Sequence, residues 1–149
     1  MKNRTQCSAF STIELVVVLA IAAIIAAIAW PGWRSWSDSA ALNSSIRQIQ
    51  SELHAIKMRA AAENVAFQFA YLQDANQYTV QRDSKPVHTK PITEGTTITK
   101  TGVISFSPRG TAGGNRVRLR NAVGACRQIV VSATGRVRIC TPSECAEDC

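Results

Sequence analysis

Histidine and aromatic residues are scarce: the 149-residue chain has only His54 and His88, and 6% Phe, Trp and Tyr. No Cys-x-x-Cys or His-x-x-x-His spacing occurs, so the ligand patterns of a zinc site are missing. There is no Gly-rich loop of the kind that cradles phosphates. Neither a Ser/His/Asp nor a Cys/His set stands in a suitable context, and the acids beyond the amino-terminal third show no paired arrangement. The expectation is a protein that is not an enzyme and holds no cofactor or metal. Acids are also the minority charge, 10 against 17 Lys and Arg, for a formal net charge of +7. The length allows one domain. Because apolar residues crowd near the amino terminus, the remainder has enough for one modest core.

From Leu15 to Trp30 the chain reads LVVVLAIAAIIAAIAW, sixteen residues without a polar side chain. That is slightly short for a spanning helix, which needs roughly 20 residues, and long for the apolar region of a secretory signal, at about 7–15. Adding Phe10 to Ile13 reaches spanning length. Lys2 and Arg4 precede the run and no acid does before Glu14, so the positive-inside rule leaves the amino terminus in the cytoplasm. Cys7 comes before the run, not after it, which excludes a lipoprotein signal. Glu14 then falls inside the apolar segment, where a carboxylate costs about 2.5 kcal/mol or more. Two readings stand: Glu14 snorkels or is protonated at the cytoplasmic interface, or it awaits a partner charge.

Ala9-Phe10-Ser11-Thr12-Ile13-Glu14-Leu15 ahead of an apolar helix resembles the prepilin signature of the type IV pilin superfamily, G-F-T-L-I-E, with Ala9 where Gly is usual. The resemblance implies a leader of residues 1–9, cut between Ala9 and Phe10 by prepilin peptidase, and N-methylation of Phe10. It implies that Glu14, the fifth mature residue, pairs with the terminal amine of a neighbouring subunit during assembly. Pro31, where a helix would break or kink, falls where pilins commonly carry a helix-loosening proline.

Beyond Pro31, Leu42, Ile46, Ile49, Leu53, Ile56 and Ala60 recur at steps of four and three, the pattern of an amphipathic helix. A helix from Phe10 to about Ala62 would span roughly 80 Å. A two-partner coiled coil is the competing reading of this spacing, but fewer than three heptads are present. From Val65 the character turns to strand: VAFQFAYLQ, QYTVQR, TTITK, VISFS, RVRLR, RQIVVS and RVRIC, separated by turn signals such as Ser107-Pro108-Arg109-Gly110, Gly113-Gly114-Asn115 and Thr134-Gly135. The fold expected is α+β: a long amino-terminal helix, half in the membrane and half amphipathic, packed on an antiparallel β-sheet domain. The divisions expected are 1–9 leader, 10–33 transmembrane and assembly helix, 34–63 amphipathic helix and 64–149 β domain. His88 is read as solvated in a Lys/Pro-rich loop, and His54 as solvated on the helix.

SELHAIKMRAAAENVAFQF, ISFSPRGTAGG and CRQIVVSATGRVRIC resemble the FimT/GspH-type minor pilins and pseudopilins. With the prepilin signature, the resemblance covers nearly the whole chain. It implies a single-pass bacterial inner-membrane protein with a periplasmic carboxy-terminal domain, incorporated into a pilus or pseudopilus. The partners implied are other pilin or pseudopilin subunits, prepilin peptidase and an inner-membrane assembly platform.

Loss of the leader removes Cys7 and leaves Cys126, Cys140, Cys145 and Cys149, an even number that suggests two disulfides in an outward-facing domain. Cys126 and Cys140 bracket a predicted hairpin and are the expected pair, with Cys145–Cys149 closing the tail. The other two pairings stay open.

Seven arginines, Arg109, Arg116, Arg118, Arg120, Arg127, Arg136 and Arg138, fall between positions 109 and 138 with no Asp, Glu or Lys among them. In RVRLR and GRVRIC they alternate with aliphatic residues, which puts Arg116, Arg118, Arg120, Arg136 and Arg138 on the outer face of their strands. A solvated edge-strand face is one reading. The consistent choice of arginine favours another, because a guanidinium fork binds phosphate bidentately. FimT-type relatives are associated with DNA capture in natural transformation, and Gly135-Arg136-Val137-Arg138 matches the Gly-Arg-x-Arg motif of the DNA-binding members. The resemblance thus implies non-specific binding of double-stranded DNA through Gly135 and these arginines. The alternative is a GspH-type pseudopilin of a type II secretion system with a structural role alone. Glu144, Glu147 and Asp148 lie near these arginines and could fold back over them.

Overall fold

The carbonyl of Ser11 accepts from the N–H groups of Glu14 (3.0 Å) and Leu15 (3.2 Å), and from there a single helix, α1 (Thr12–Glu63), runs for 52 residues. The computed structural model describes residues 11–145, with Trp30 and Pro31 described by backbone alone. The expected leader, the cleavage and methylation positions Ala9 and Phe10, and Cys149 therefore lie outside the described residues. Pro31 does not end the helix: of the break or kink its position suggests, the break does not occur, and α1 is continuous as the Phe10 to Ala62 reading has it. A proline inside a helix costs about 3 kcal/mol, and the long runs of helix-forming residues on both sides carry α1 across it.

The chain divides into two units, Met1–Trp36 and Ser37–Cys149. In the first, Thr12–Ala29 is long and apolar enough to cross a membrane, and none of it is buried. Its Leu, Ile and Val side chains are more than half exposed almost throughout, and Ile28 reaches 76%. Apolar surface on that scale calls for lipid or for neighbouring helices.

In the second unit, Leu42, Ile46, Ile49, Leu53, Ile56 and Ala60 are all buried, the stripe that the heptad-like spacing predicts. Eight strands follow: β1 (Phe67–Leu72), β2 (Gln77–Arg82), β3 (Lys85–Pro91), β4 (Thr96–Ile98), β5 (Gly102–Phe106), β6 (Asn115–Asn121), β7 (Cys126–Val131) and β8 (Val137–Cys140). They form two antiparallel sheets, ordered β3-β2-β1-β5 and β4-β6-β7-β8. The inward residues of both sheets, among them Phe67, Phe69, Ile104, Val117, Leu119 and Ile129, join the helix stripe in one core. Among the described residues, every buried hydrophobic one belongs to Ser37–Cys149, so this unit has a core of its own. The Tyr71 hydroxyl joins the sheets by donating to the Arg116 carbonyl at 2.8 Å.

β3 corrects the sequence reading, which made this stretch a loop with His88 solvated. Its turn, Asp83-Ser84, has φ of 46° and 65°, the conformation of a two-residue type I′ hairpin without the glycine that usually announces one. Pro86 and Pro91 also argued against a strand, yet β3 lies at a sheet edge, where a missing N–H costs no ladder bond. His88 Nε2 lies 2.9 Å from Glu52 Oε1, and Lys90 Nζ lies 3.0 Å from Glu52 Oε2, fastening this edge to α1. Burial pushes the Glu52 carboxyl up, but Lys90 and His88 together outweigh it and hold it below the usual carboxylate range. His54 is exposed on α1, as read from its place beside the apolar stripe.

Candidate nucleic-acid interface

β6 alternates Arg116, Arg118 and Arg120 with the buried Val117 and Leu119, so the three arginines share the outer face of the second sheet. Strand pairing extends that face. Arg116 pairs with Val130, and Val130 with Arg138, so Arg116 and Arg138 belong to one cross-strand row. Arg118, Gln128 and Cys140 make the next row, and Arg120 with Cys126 the third. Arg136 precedes β8 by one residue and its carbonyl accepts from Ser132 N–H at 3.0 Å, which continues the ladder and puts Arg136 one row beyond Arg138 on the same face. The register therefore brings all five predicted arginines to one face, with β6 and β8 about 10 Å apart across β7.

They are not equivalent. Arg120, Arg136 and Arg138 are exposed, whereas Arg116 and Arg118 are half-buried and Gln128 between the strands is fully buried. The side chains of Arg136 and Arg138 make no hydrogen bond or ion pair with the described residues. Arg127 leaves the group: its side chain bonds to Asn43 of α1 at 3.4 Å and to Thr141. Among the described residues no group of three or more His, Cys, Asp or Glu side chains could hold a metal ion.

Gly135 ends the β7–β8 turn with φ of 72°, and its N–H donates to Ser132 O at 2.8 Å. Its backbone lies against Gly110, and Lys57 Nζ of α1 donates to its carbonyl at 2.9 Å. The glycine thus anchors the hairpin tip that presents Arg136 and Arg138. The same contact sets the Ser107–Gly110 turn beside the tip, bringing exposed Arg109 next to the motif. Arg109 was not grouped with the site from sequence, since only folding joins these two turns. Lys100 was missed likewise; it lines a cavity with Arg116 and Arg118.

The cysteines correct the expected pairing. The β7–β8 register sets Cys140 opposite Gln128, two residues short of Cys126. Cys126 instead bonds Cys145, with Cα atoms 5.4 Å apart, one of the pairings the sequence left open. Cys140 is also disulfide-bonded. The Cys126–Cys145 link returns the tail, with Glu144, to the strand end that carries the Arg120 row. Glu147 and Asp148 lie outside the described residues.

In fold, the chain is similar to the minor pseudopilin EpsH from the type 2 secretion system of Vibrio cholerae, at 12% identity and TM-score 0.59, covering 69% of this chain and 98% of that one. It is equally similar to the type IV minor pilin FimU of Pseudomonas aeruginosa, at 14% identity and TM-score 0.59, covering 74% and 98%. No curated protein sequence matches the chain. The family model described as Type II transport protein GspH matches residues 45–135, which takes in the amphipathic part of α1 and the strands through the β7–β8 turn. The chain belongs to the GspH family and has the fold of minor pilins and pseudopilins.

Proposed function

We propose that this GspH-family subunit is anchored in the bacterial inner membrane, carries its β domain in the periplasm, and captures double-stranded DNA for natural transformation. The observation that carries the reading is the strand register, which gathers five arginines on one face, with Arg136 and Arg138 exposed and without side-chain partners among the described residues. Guanidinium groups in such an array bind phosphates, positioning a duplex without reading its sequence. The test is a fluorescence titration of the Ser37–Cys149 unit with a random-sequence duplex. Arg136→Ala/Arg138→Ala is expected to weaken binding by about 60-fold at 0.1 M salt, two phosphate contacts at about eightfold each. Unchanged affinity would remove these residues from the interface.

In the same reading, residues 1–9 form a leader, 10–33 the membrane and assembly helix, 34–63 the amphipathic helix and 64–149 the β domain. Prepilin peptidase cuts between Ala9 and Phe10, Phe10 is N-methylated, and an inner-membrane platform feeds the subunit into the filament. Glu14 stands in the first turn of α1, exposed, where a neighbouring subunit's terminal amine can reach it. Glu14→Ala is expected to leave membrane insertion intact and to deplete the protein from sheared filaments several-fold; normal incorporation would exclude the charge pairing. The family match and the likeness to EpsH favour a second reading, a pseudopilin of type II secretion with a role in assembly alone. Failure of the β domain to bind DNA at low salt would select it.

A further inference from the structure

The apolar stretch of α1 is followed by two exposed indoles. Trp33 and Trp36 stand four and seven residues beyond Ala29, where the segment long and apolar enough to cross a membrane ends. Side chains three positions apart share one face of a helix, and here the two ring centroids lie 5.6 Å apart with their planes tilted at 47°. The residues are 69% and 65% exposed, so the pair forms a broad aromatic surface outside the core.

The polarity of α1 changes at this pair. From Leu15 to Ala29 every side chain is apolar, whereas Arg34, Ser35, Ser37, Asp38 and Ser39 fall between and after the two tryptophans. An indole combines a large apolar body with one N–H donor, so tryptophan collects where hydrocarbon meets lipid headgroups. Arg34 is exposed beside Trp33, and a long cationic side chain at such a boundary keeps its stem in apolar surroundings while its head reaches polar ones.

The spacing along the helix fits the same boundary. From Glu14 to Trp33 the unbroken helix rises about 28 Å, close to the ~30 Å thickness of a bilayer's hydrocarbon layer. Trp36 stands ~4.5 Å further along, at the depth of the headgroups, and Glu14 falls at the opposite boundary. A protein partner for the indoles would not require that separation from the acid.

We infer that Trp33 and Trp36 are seated in the phospholipid headgroup layer of the periplasmic leaflet before the subunit enters a filament. The inference rests on the membrane-anchored reading given above. It adds a lipid surface to the partners of the chain, and it sets the Glu14 carboxylate at the cytoplasmic boundary, where it escapes the cost of burial in hydrocarbon.

The test reconstitutes the full-length chain into vesicles of phosphatidylethanolamine with phosphatidylglycerol, and flotation with the vesicles reports anchoring. Trp30→Phe/Trp36→Phe leaves Trp33 as the one tryptophan, and Trp30→Phe/Trp33→Phe leaves Trp36. Fluorescence quenching by lipids brominated at successive acyl positions, set against an aqueous quencher, reads the depth of each indole. Trp33 is expected about 15 Å from the bilayer centre and Trp36 about 20 Å from it, both with emission shifted to shorter wavelength than free tryptophan in buffer. Flotation with both indoles fully open to the aqueous quencher, or with either near the bilayer centre, overturns the headgroup seat and leaves the membrane anchor standing. A chain that does not float overturns both. Indoles open to water in vesicles and shielded only in sheared filaments assign the pair to a neighbouring subunit, which also overturns the proposal.

Discussion

Alanine at position 135 is expected to destabilise the β domain by about 2–4 kcal/mol, although it adds only one methyl group. A Cβ there would stand 2.1 Å from the Gly110 carbonyl oxygen, a backbone atom that cannot swing aside. The φ of 72° is itself unfavourable for an L side chain. Relief would push the β7–β8 tip away from the Ser107–Gly110 turn and break the bond from Lys57 to the Gly135 carbonyl. Urea denaturation of the Ser37–Cys149 unit measures the effect, with Gly113→Ala as the control, since a Cβ at Gly113 meets nothing within 4 Å and its φ is ordinary. Equal stability of the two variants would refute the close approach. Because Gly135 holds the strand that carries Arg136 and Arg138, its substitution should also weaken DNA binding. It does so as a positioning residue.

Opening the Cys126–Cys145 link by Cys126→Ser/Cys145→Ser is expected to cost about 3 kcal/mol, the loop-closure value for a separation of 19 residues. The loop it closes contains β7 and β8, so the link restrains the strands next to the arginine rows as well as the tail. Urea midpoints of the oxidised protein and the variant, compared at equal m-values, give the difference. Peptide mapping of the unreduced protein should recover a fragment joining these two cysteines. A variant as stable as the parent, or a map that joins Cys126 to Cys140, would contradict the structure.

Local periodicity carries most of the fold. The apolar stripe from Leu42 to Ala60 and the alternation in RVRLR are local patterns, and each survives intact because burial of one face enforces it. β3 leaves no local signal because its strength comes from neighbours: an edge position that tolerates two prolines and a Glu52 anchor 36 residues away in sequence from His88. The split into two sheets was equally hidden, since the strands of both alternate in the same way and only the pairing of β5 with β1, and of β4 with β6, separates them. At the arginine face, sequence identified which side each residue takes but not the register. Register is what puts Arg138 in line with Arg116, moves Cys140 away from Cys126, and draws Lys100 and Arg109 toward a group they do not join in the chain.

The most direct test of DNA capture is the salt dependence of duplex binding by the Ser37–Cys149 unit. A basic face that binds through phosphates should give a linear plot of log Kobs against log salt with a slope of about −3 to −5, the range for contacts from three exposed arginines up to five or six cations. The slope should be the same for duplexes of unrelated sequence, as phosphate contacts carry no base information. A slope near zero, or no binding at low salt, would contradict capture by the arginine face and leave a GspH-family subunit that serves filament assembly alone.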